Sequence, residues 1–81
     1  MEIEKTLKEL DQLFATHQIG QAERFLKRKI AEARAENDYD SLITLLNEMI
    51  GLLRDISHYD ECCRYCQELI ALLDGMYLRG T

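Results

Sequence analysis

The apolar pattern of this 81-residue chain repeats with a spacing of 40 residues. When residues 43–73 are aligned with residues 3–33, apolar or small side chains fall on apolar or small side chains. The matched pairs are Ile3 with Ile43, Leu10 with Ile50, Leu13 with Leu53, Ile19 with Tyr59, Ala22 with Cys62, Phe25 with Tyr65, Leu26 with Cys66, Ile30 with Ile70 and Ala33 with Leu73. A fixed self-similarity of this length predicts a repeat protein in which each unit buries one face on the next.

Each half contains two stretches whose apolar residues recur at three- and four-residue spacing, the pattern of an amphipathic helix. This spacing predicts helices over about residues 2–15, 19–36 and 40–56, and a fourth from residue 59 to the region between Gly75 and Gly80. The polar stretches 16–18, 37–40 and 57–58 separate them, and Asp38 or Asp40 is suited to cap the third helix. The absence of proline also favours long helices.

Connections this short force consecutive helices into antiparallel hairpins, so the sequence predicts an all-α fold of four helices. We expect a single domain, residues 1–81, made of two stacked hairpins: repeat one over 1–38 and repeat two over 39–79. The third helix is the most apolar and should be the most buried. A closed four-helix bundle is the alternative arrangement.

Two segments carry a family resemblance. The first runs from Leu46 to Arg54 and continues from Ser57 to Cys62, and Gly20-Gln21-Ala22-Glu23 gives a similar turn signal in the first half. Together they resemble the tetratricopeptide repeat, in its bacterial form with a long second helix. The chain departs from that family because it has no tryptophan and no proline, and because Leu10 and Ile50 replace the usual glycine or alanine.

The resemblance implies a non-catalytic scaffold that holds an extended peptide in a concave groove lined by the first helix of each repeat. Asn47, Gly51 and Arg54 form a polar ridge on the third helix, and Lys8 and Asp11 would line the neighbouring part of the groove. Gly51 costs about 1 kcal/mol relative to alanine in a helix interior, so a reason for it is expected. The alternative is that Gly51 admits a close neighbouring helix and that the ridge is ordinary polar surface.

Charge narrows the range of partners. The chain has 10 Lys and Arg against 15 Asp and Glu, a formal net charge of −5, which disfavours nucleic acid and anionic lipid. No apolar run is long enough to span a membrane, so we expect a cytoplasmic protein without membrane contact. The basic cluster of Arg24, Lys27, Arg28 and Lys29 is interpreted as solvated surface, with Glu23 paired to Lys27 at i, i+4.

A cluster of potential metal ligands gives the alternative function. His58, Cys62 and Cys66 follow at i, i+4 and i+8 with Cys63 beside them, so a metal- or thiol-redox-binding module is possible. Ligands at i and i+8 of a straight helix are about 12 Å apart, which is too far for one metal ion. Packing of Cys62 and Cys66 is therefore the preferred interpretation, with Cys63 the exposed thiol. No nucleophile, base and orienting residue can be assembled, so we expect neither an enzyme nor a cofactor.

The last helix has more apolar side chains than one flank can bury. The residues expected to meet a neighbour are Leu69, Leu72, Leu73, Met76 and Tyr77. The surplus predicts either a homo-oligomer or a place in a longer repeat array. In both cases the expected partner is a protein or peptide.

Overall fold

The computed structural model describes the backbone of residues 1–79 and the side chains of residues 1–75. Its elements are four helices: α1 (Ile3–Ala15), α2 (Ile19–Glu36), α3 (Tyr39–Asp55) and α4 (Tyr59–Arg79). The all-α prediction is confirmed. The third helix was predicted to begin at about Asp40, and in the structure it begins one residue earlier, at Tyr39.

The three connections share one backbone design. His17, Asn37 and Ser57 each have positive φ, at 58°, 55° and 64°. After each of them the next residue's N–H reaches five positions back, from Gln18 to Leu13, from Asp38 to Ala33 and from His58 to Leu53. This is the hydrogen bond of the Schellman motif, which satisfies the free carbonyls at a helix end. Three identical turns 20 residues apart give the helices nearly equal spacing along the chain.

The third helix begins at a side-chain cap. Asp38 precedes α3, and its carboxylate accepts a hydrogen bond of 3.3 Å from the Ser41 backbone N–H. The predicted choice between Asp38 and Asp40 is therefore settled in favour of Asp38. Hydrogen bonding from Ser41, through its side chain and then its backbone, holds the pKa of Asp38 below its ordinary value of 3.8.

Because the pKa of Asp38 is lower in the folded state, its contribution to stability is present above about pH 4 and is lost as the pH falls through the folded pKa. We expect the Asp38→Asn variant to be less stable than the wild-type chain at pH 6. Asparagine keeps a capping oxygen but does not titrate, so the difference should shrink toward zero at about pH 2. Urea unfolding of both chains across this range measures it, and a constant difference would contradict the assignment.

Each helix packs on the next in the chain, α1 on α2, α2 on α3 and α3 on α4. Among the described residues α1 and α4 share no extensive contact, so the two antiparallel hairpins form an open stack rather than a closed bundle. As predicted, α3 supplies more buried side chains than α1 or α2. The core consists of Leu10, Ala22, Phe25, Leu26, Ile30, Ala33, Leu42, Leu45, Leu46, Met49, Leu52 and Leu53.

Candidate functional site

A groove of about 230 Å³ lies where the first helix of one hairpin faces the first helix of the other. It is lined by Phe14 of α1 and by Asn47, Glu48, Gly51, Leu52 and Asp55 of α3. Asn47 and Gly51, two residues of the predicted polar ridge, are thus found together in it. Phe14, a half-buried aromatic side chain, was missed because its periodicity marks it as core. The carboxylates of Glu48 and Asp55 make this groove acidic.

Arg54, the third residue of the predicted ridge, and the predicted neighbouring residues Lys8 and Asp11 lie elsewhere. Arg54 and Asp11 are exposed but do not line this groove, and Lys8 lines a separate depression with Glu2, Ile3, Glu4 and Lys5 near the start of α1. The α1–α3 groove runs along the side of α3 that carries Glu48 and Asp55. Arg54 lies just beyond Asn47 around the helix axis, at the margin of that side, and the other lining residues extend in the opposite direction.

Gly51 is not required by helix packing. A Cβ atom built on Gly51 would have no heavy atom within 4 Å outside its own helix and chain neighbours. The interpretation that this glycine admits a close helix is therefore wrong. Its effect is to leave the middle of the α1–α3 groove without a side chain.

A larger groove of about 690 Å³ opens on the outer edge of the first hairpin. Its walls come from α1, α2 and the turn between them, and are formed by Glu9, Gln12, Leu13, Thr16, Gln18, Gln21, Arg24, Phe25 and Arg28. The Arg28 guanidinium lies 5.7 Å from the centroid of the Phe25 ring, within cation–π range. Arg24 and Arg28 were predicted to be solvated surface, and this groove was not predicted, because nothing in a linear pattern shows which edge of a hairpin stays uncovered.

The predictions for Cys62, as a packed side chain, and for Cys63, as an exposed thiol, are confirmed, whereas Cys66 is half-buried and is not among the side chains packed against the core. Cys62 packs against the core, and its Sγ lies 3.6 Å from the Ile50 carbonyl oxygen. Desolvation, with Cys66 acting in the same direction, raises the pKa of Cys62 above its ordinary value of 9.0, so its thiol stays protonated at neutral pH.

The structure groups His58 with acidic side chains rather than with thiols. Within the described part of the chain, the one set of three potential metal ligands whose ligand atoms lie within 4.8 Å of one another is Glu23, His58 and Glu61. The Lys27 ammonium already lies between the two carboxylates, 3.6 Å from Glu23 and 3.5 Å from Glu61. This cation offsets one of the two negative charges and would have to leave before a metal ion could bind between the carboxylates.

Ion pairs link the second helices of the two hairpins. Lys27 of α2 pairs with Glu61 of α4, in addition to the predicted pair with Glu23. Two helical turns further along α2, Arg34 binds Glu68 in a bidentate fashion, with Nε 2.8 Å from Oε2. In both cross-helix pairs α2 supplies the cation and α4 supplies the carboxylate.

The predicted stacking residues of the last helix fall into two groups. Leu69 and Leu72 are partly buried against the core, whereas Leu73 is 47% exposed. The side chains of Met76 and Tyr77 lie outside the described residues. Ile70, which was not among the predicted residues, is 58% exposed and lies beside Leu73 on the uncovered side of α4.

No protein-family model, curated protein or solved structure matches the chain. Within the described residues, no helix combines the length and the apolar character needed to cross a membrane. The candidate binding surfaces of the chain are the two grooves and the exposed side of α4.

Proposed function

We propose that the chain is a non-catalytic, protein-binding scaffold of the tetratricopeptide-repeat type, and that the α1–α3 groove holds an extended peptide. The observation that carries the proposal is the convergence of Phe14, Asn47 and Gly51 at the point where the two hairpins meet. An aromatic wall, an amide that can both donate and accept, and a gap left by glycine are the features that seat a peptide side chain beside its backbone.

The lining charges define the peptide. Glu48 and Asp55 are the charged residues of the α1–α3 groove, so a lysine or arginine side chain is favoured there over an acidic one. A groove of this volume accepts one or two side chains, and the rest of a bound peptide would lie along the helix surfaces. The thiol or metal alternative is less favoured, because Cys62 is a packed, protonated thiol and Lys27 fills the acidic cluster beside His58.

Selection of random peptides displayed on phage against the intact chain tests the proposal. We expect the enriched peptides to contain lysine or arginine, and the strongest of them, made synthetically, serves as the probe. Gly51→Leu should fill the groove and weaken probe binding by about tenfold or more, while stability is kept because leucine is a better helix former than glycine. Gly75→Leu on α4, where a new Cβ also meets no atom within 4 Å, is the matched control and should bind normally.

Charge reversal adds a second test. Glu48→Lys should weaken binding of a basic probe, and fluorescence anisotropy measures both variants. Binding that responds neither to Gly51→Leu nor to Glu48→Lys would place the peptide elsewhere and remove the proposal. Zinc retained stoichiometrically by the chain at low concentration would favour the metal alternative instead.

A further inference from the structure

The described part of α4 carries two adjacent apolar stripes, of which one is covered. The covered stripe packs on the core and consists of Cys62, Tyr65, Leu69 and Leu72. The second stripe follows at i, i+4, i+7, i+11 and i+14 and consists of Tyr59, Cys63, Cys66, Ile70 and Leu73. Tyr59 is 60% exposed and Ile70 58%, so a continuous side of the helix presents apolar surface to solvent.

Three positions of the second stripe correspond to buried positions in the first hairpin. Leu26, Ile30 and Ala33 of α2 precede Cys66, Ile70 and Leu73 by 40 residues, and all three are at most 1% exposed. The turn hydrogen bonds before the two helices match at this same spacing, so the positions correspond in the fold. The difference is a missing neighbour: α2 packs on both α1 and α3, whereas α4 packs on α3.

The chain's own opposite edge does not supply that neighbour. In α3 and the residue after it, positions 42, 45, 49, 52 and 56 are apolar, and the first four are buried. The corresponding residues around α1 are all polar and exposed, namely Glu2, Lys5, Glu9, Gln12 and Thr16. Stacking a second copy head to tail would place Ile70 and Leu73 against these charged and polar groups, which gains little apolar burial and desolvates charges.

The charged residues of α4 indicate which charges the second helix of the missing neighbour should carry. On α2, Lys27 and Arg34 flank the buried stripe and pair with Glu61 and Glu68. On α4 the corresponding flank carries Gln67 and Asp74, so the sign at the outer position is reversed. A symmetric antiparallel pair of α4 helices would bring Asp60 and Asp74 of the two copies onto a shared flank, where like charges repel.

We propose that the exposed stripe of α4 docks a helical hairpin of a partner protein. Its first helix presents leucine, isoleucine or methionine to Cys66, Ile70 and Leu73, and its second helix carries lysine or arginine opposite Gln67 and Asp74. This surface is separate from the α1–α3 groove, so the docking proposal stands independently of peptide binding.

A folded probe of this chemistry can be made from the chain itself. The probe is the full chain with the residues of the α1 edge replaced so that they match the apolar pattern of α3. Arg28 of the probe stays unchanged, because it occupies the position on α2 that Glu68 occupies on α4 and so supplies the required basic residue. Its own α4 stripe is blocked by two lysines so that it cannot polymerise. The substitutions are Glu2→Leu, Lys5→Leu, Glu9→Met, Gln12→Leu, Thr16→Ile, Ile70→Lys and Leu73→Lys.

Mixing the probe with the unmodified chain should give a 1:1 complex in sedimentation, and mass spectrometry should show loss of iodoacetamide labelling at Cys63 and Cys66 of the unmodified chain. Arg28→Glu in the probe should weaken the complex by about fivefold, and Asp74→Arg in the unmodified chain should restore it. Leu73→Lys in the unmodified chain should abolish the complex.

Three results would overturn the docking proposal. The first is a folded probe, checked by circular dichroism, that neither binds nor protects the thiols. The second is a complex indifferent to the swap of charges at Arg28 and Asp74. The third is an unmodified chain that dimerises by itself and is made monomeric by Leu73→Lys, which would assign the stripe to a second copy. If the probe does not fold, a fusion takes its place, in which a second copy of residues 37–76 follows residue 76. Protection of Cys63 and Cys66 from iodoacetamide is then measured in the fusion.

Discussion

Replacing Leu53 with alanine is expected to lower the free energy of unfolding by about 2–5 kcal/mol, the usual range for a fully buried leucine. Leu53 is 0% exposed and lies on α3, the helix that packs on both α2 and α4. Leu53 belongs to a buried cluster whose members come from both hairpins, so the removed atoms leave a cavity inside a packed core. Urea unfolding followed by circular dichroism measures the loss.

Leu13→Ala is the matched control for Leu53→Ala, because the two leucines lie 40 residues apart and each accepts the same turn hydrogen bond on its carbonyl. Leu13 is half-buried and borders the open groove on the α1 edge, so water can fill part of the space that the substitution leaves. We expect a clearly smaller loss of stability. Equal losses would contradict the view that the core is centred on α3.

Local chemistry made the four helices predictable. The breaks at 16–18 and 57–58, and a cap at Asp38 or Asp40, followed from short-range patterns, because polar runs and caps act over a few residues. The left-handed conformation of Ser57 did not follow, since serine is not among the residues enriched at positive φ, as asparagine and histidine are. The same Schellman hydrogen bond closes the helix before His17 and before Ser57.

The residues of the α1–α3 groove could be predicted from the sequence only where they share one face of a single helix. Asn47 and Gly51 share a groove as expected, but Phe14 enters it from α1, and no pattern within α3 indicates which α1 residue lies opposite. Arg54 shows the converse limit. Arg54 follows Gly51 by less than one helical turn, yet its different angle about the helix axis takes it out of the groove. Spacings of three and of four residues both fit an amphipathic helix, so the pattern alone does not show this difference in angle.

The exposed stripe of α4 illustrates a further limit of sequence patterns. Apolar residues cover two adjacent sides of this helix, so the sequence shows a surplus without showing which side is covered. Leu69 and Leu72 pack on the core, whereas Ile70 and Leu73 remain exposed. The choice depends on the position of α3, and therefore on contacts between residues far apart in the chain.

The second large effect is expected from a lysine placed at two corresponding positions. Ile30→Lys should lower the free energy of unfolding by more than about 3 kcal/mol, because a side chain that is 1% exposed would be replaced by a charge with no buried partner. A loss of this size is a large fraction of the roughly 5–15 kcal/mol that stabilises a domain, so the midpoints of unfolding should fall steeply. Thermal and urea unfolding both report it.

Ile70→Lys is the corresponding change on α4, and it should alter the free energy of unfolding by no more than about 0.5 kcal/mol, because Ile70 is 58% exposed. The difference between the stability losses of Ile30→Lys and Ile70→Lys then measures, in solution, how much less α4 is buried than α2 for lack of a second neighbouring helix. If Ile70→Lys proves as costly as Ile30→Lys and the cost falls with dilution, the stripe is buried between copies. If the cost does not depend on concentration, α4 is covered within one chain, and no surface remains there for a partner hairpin.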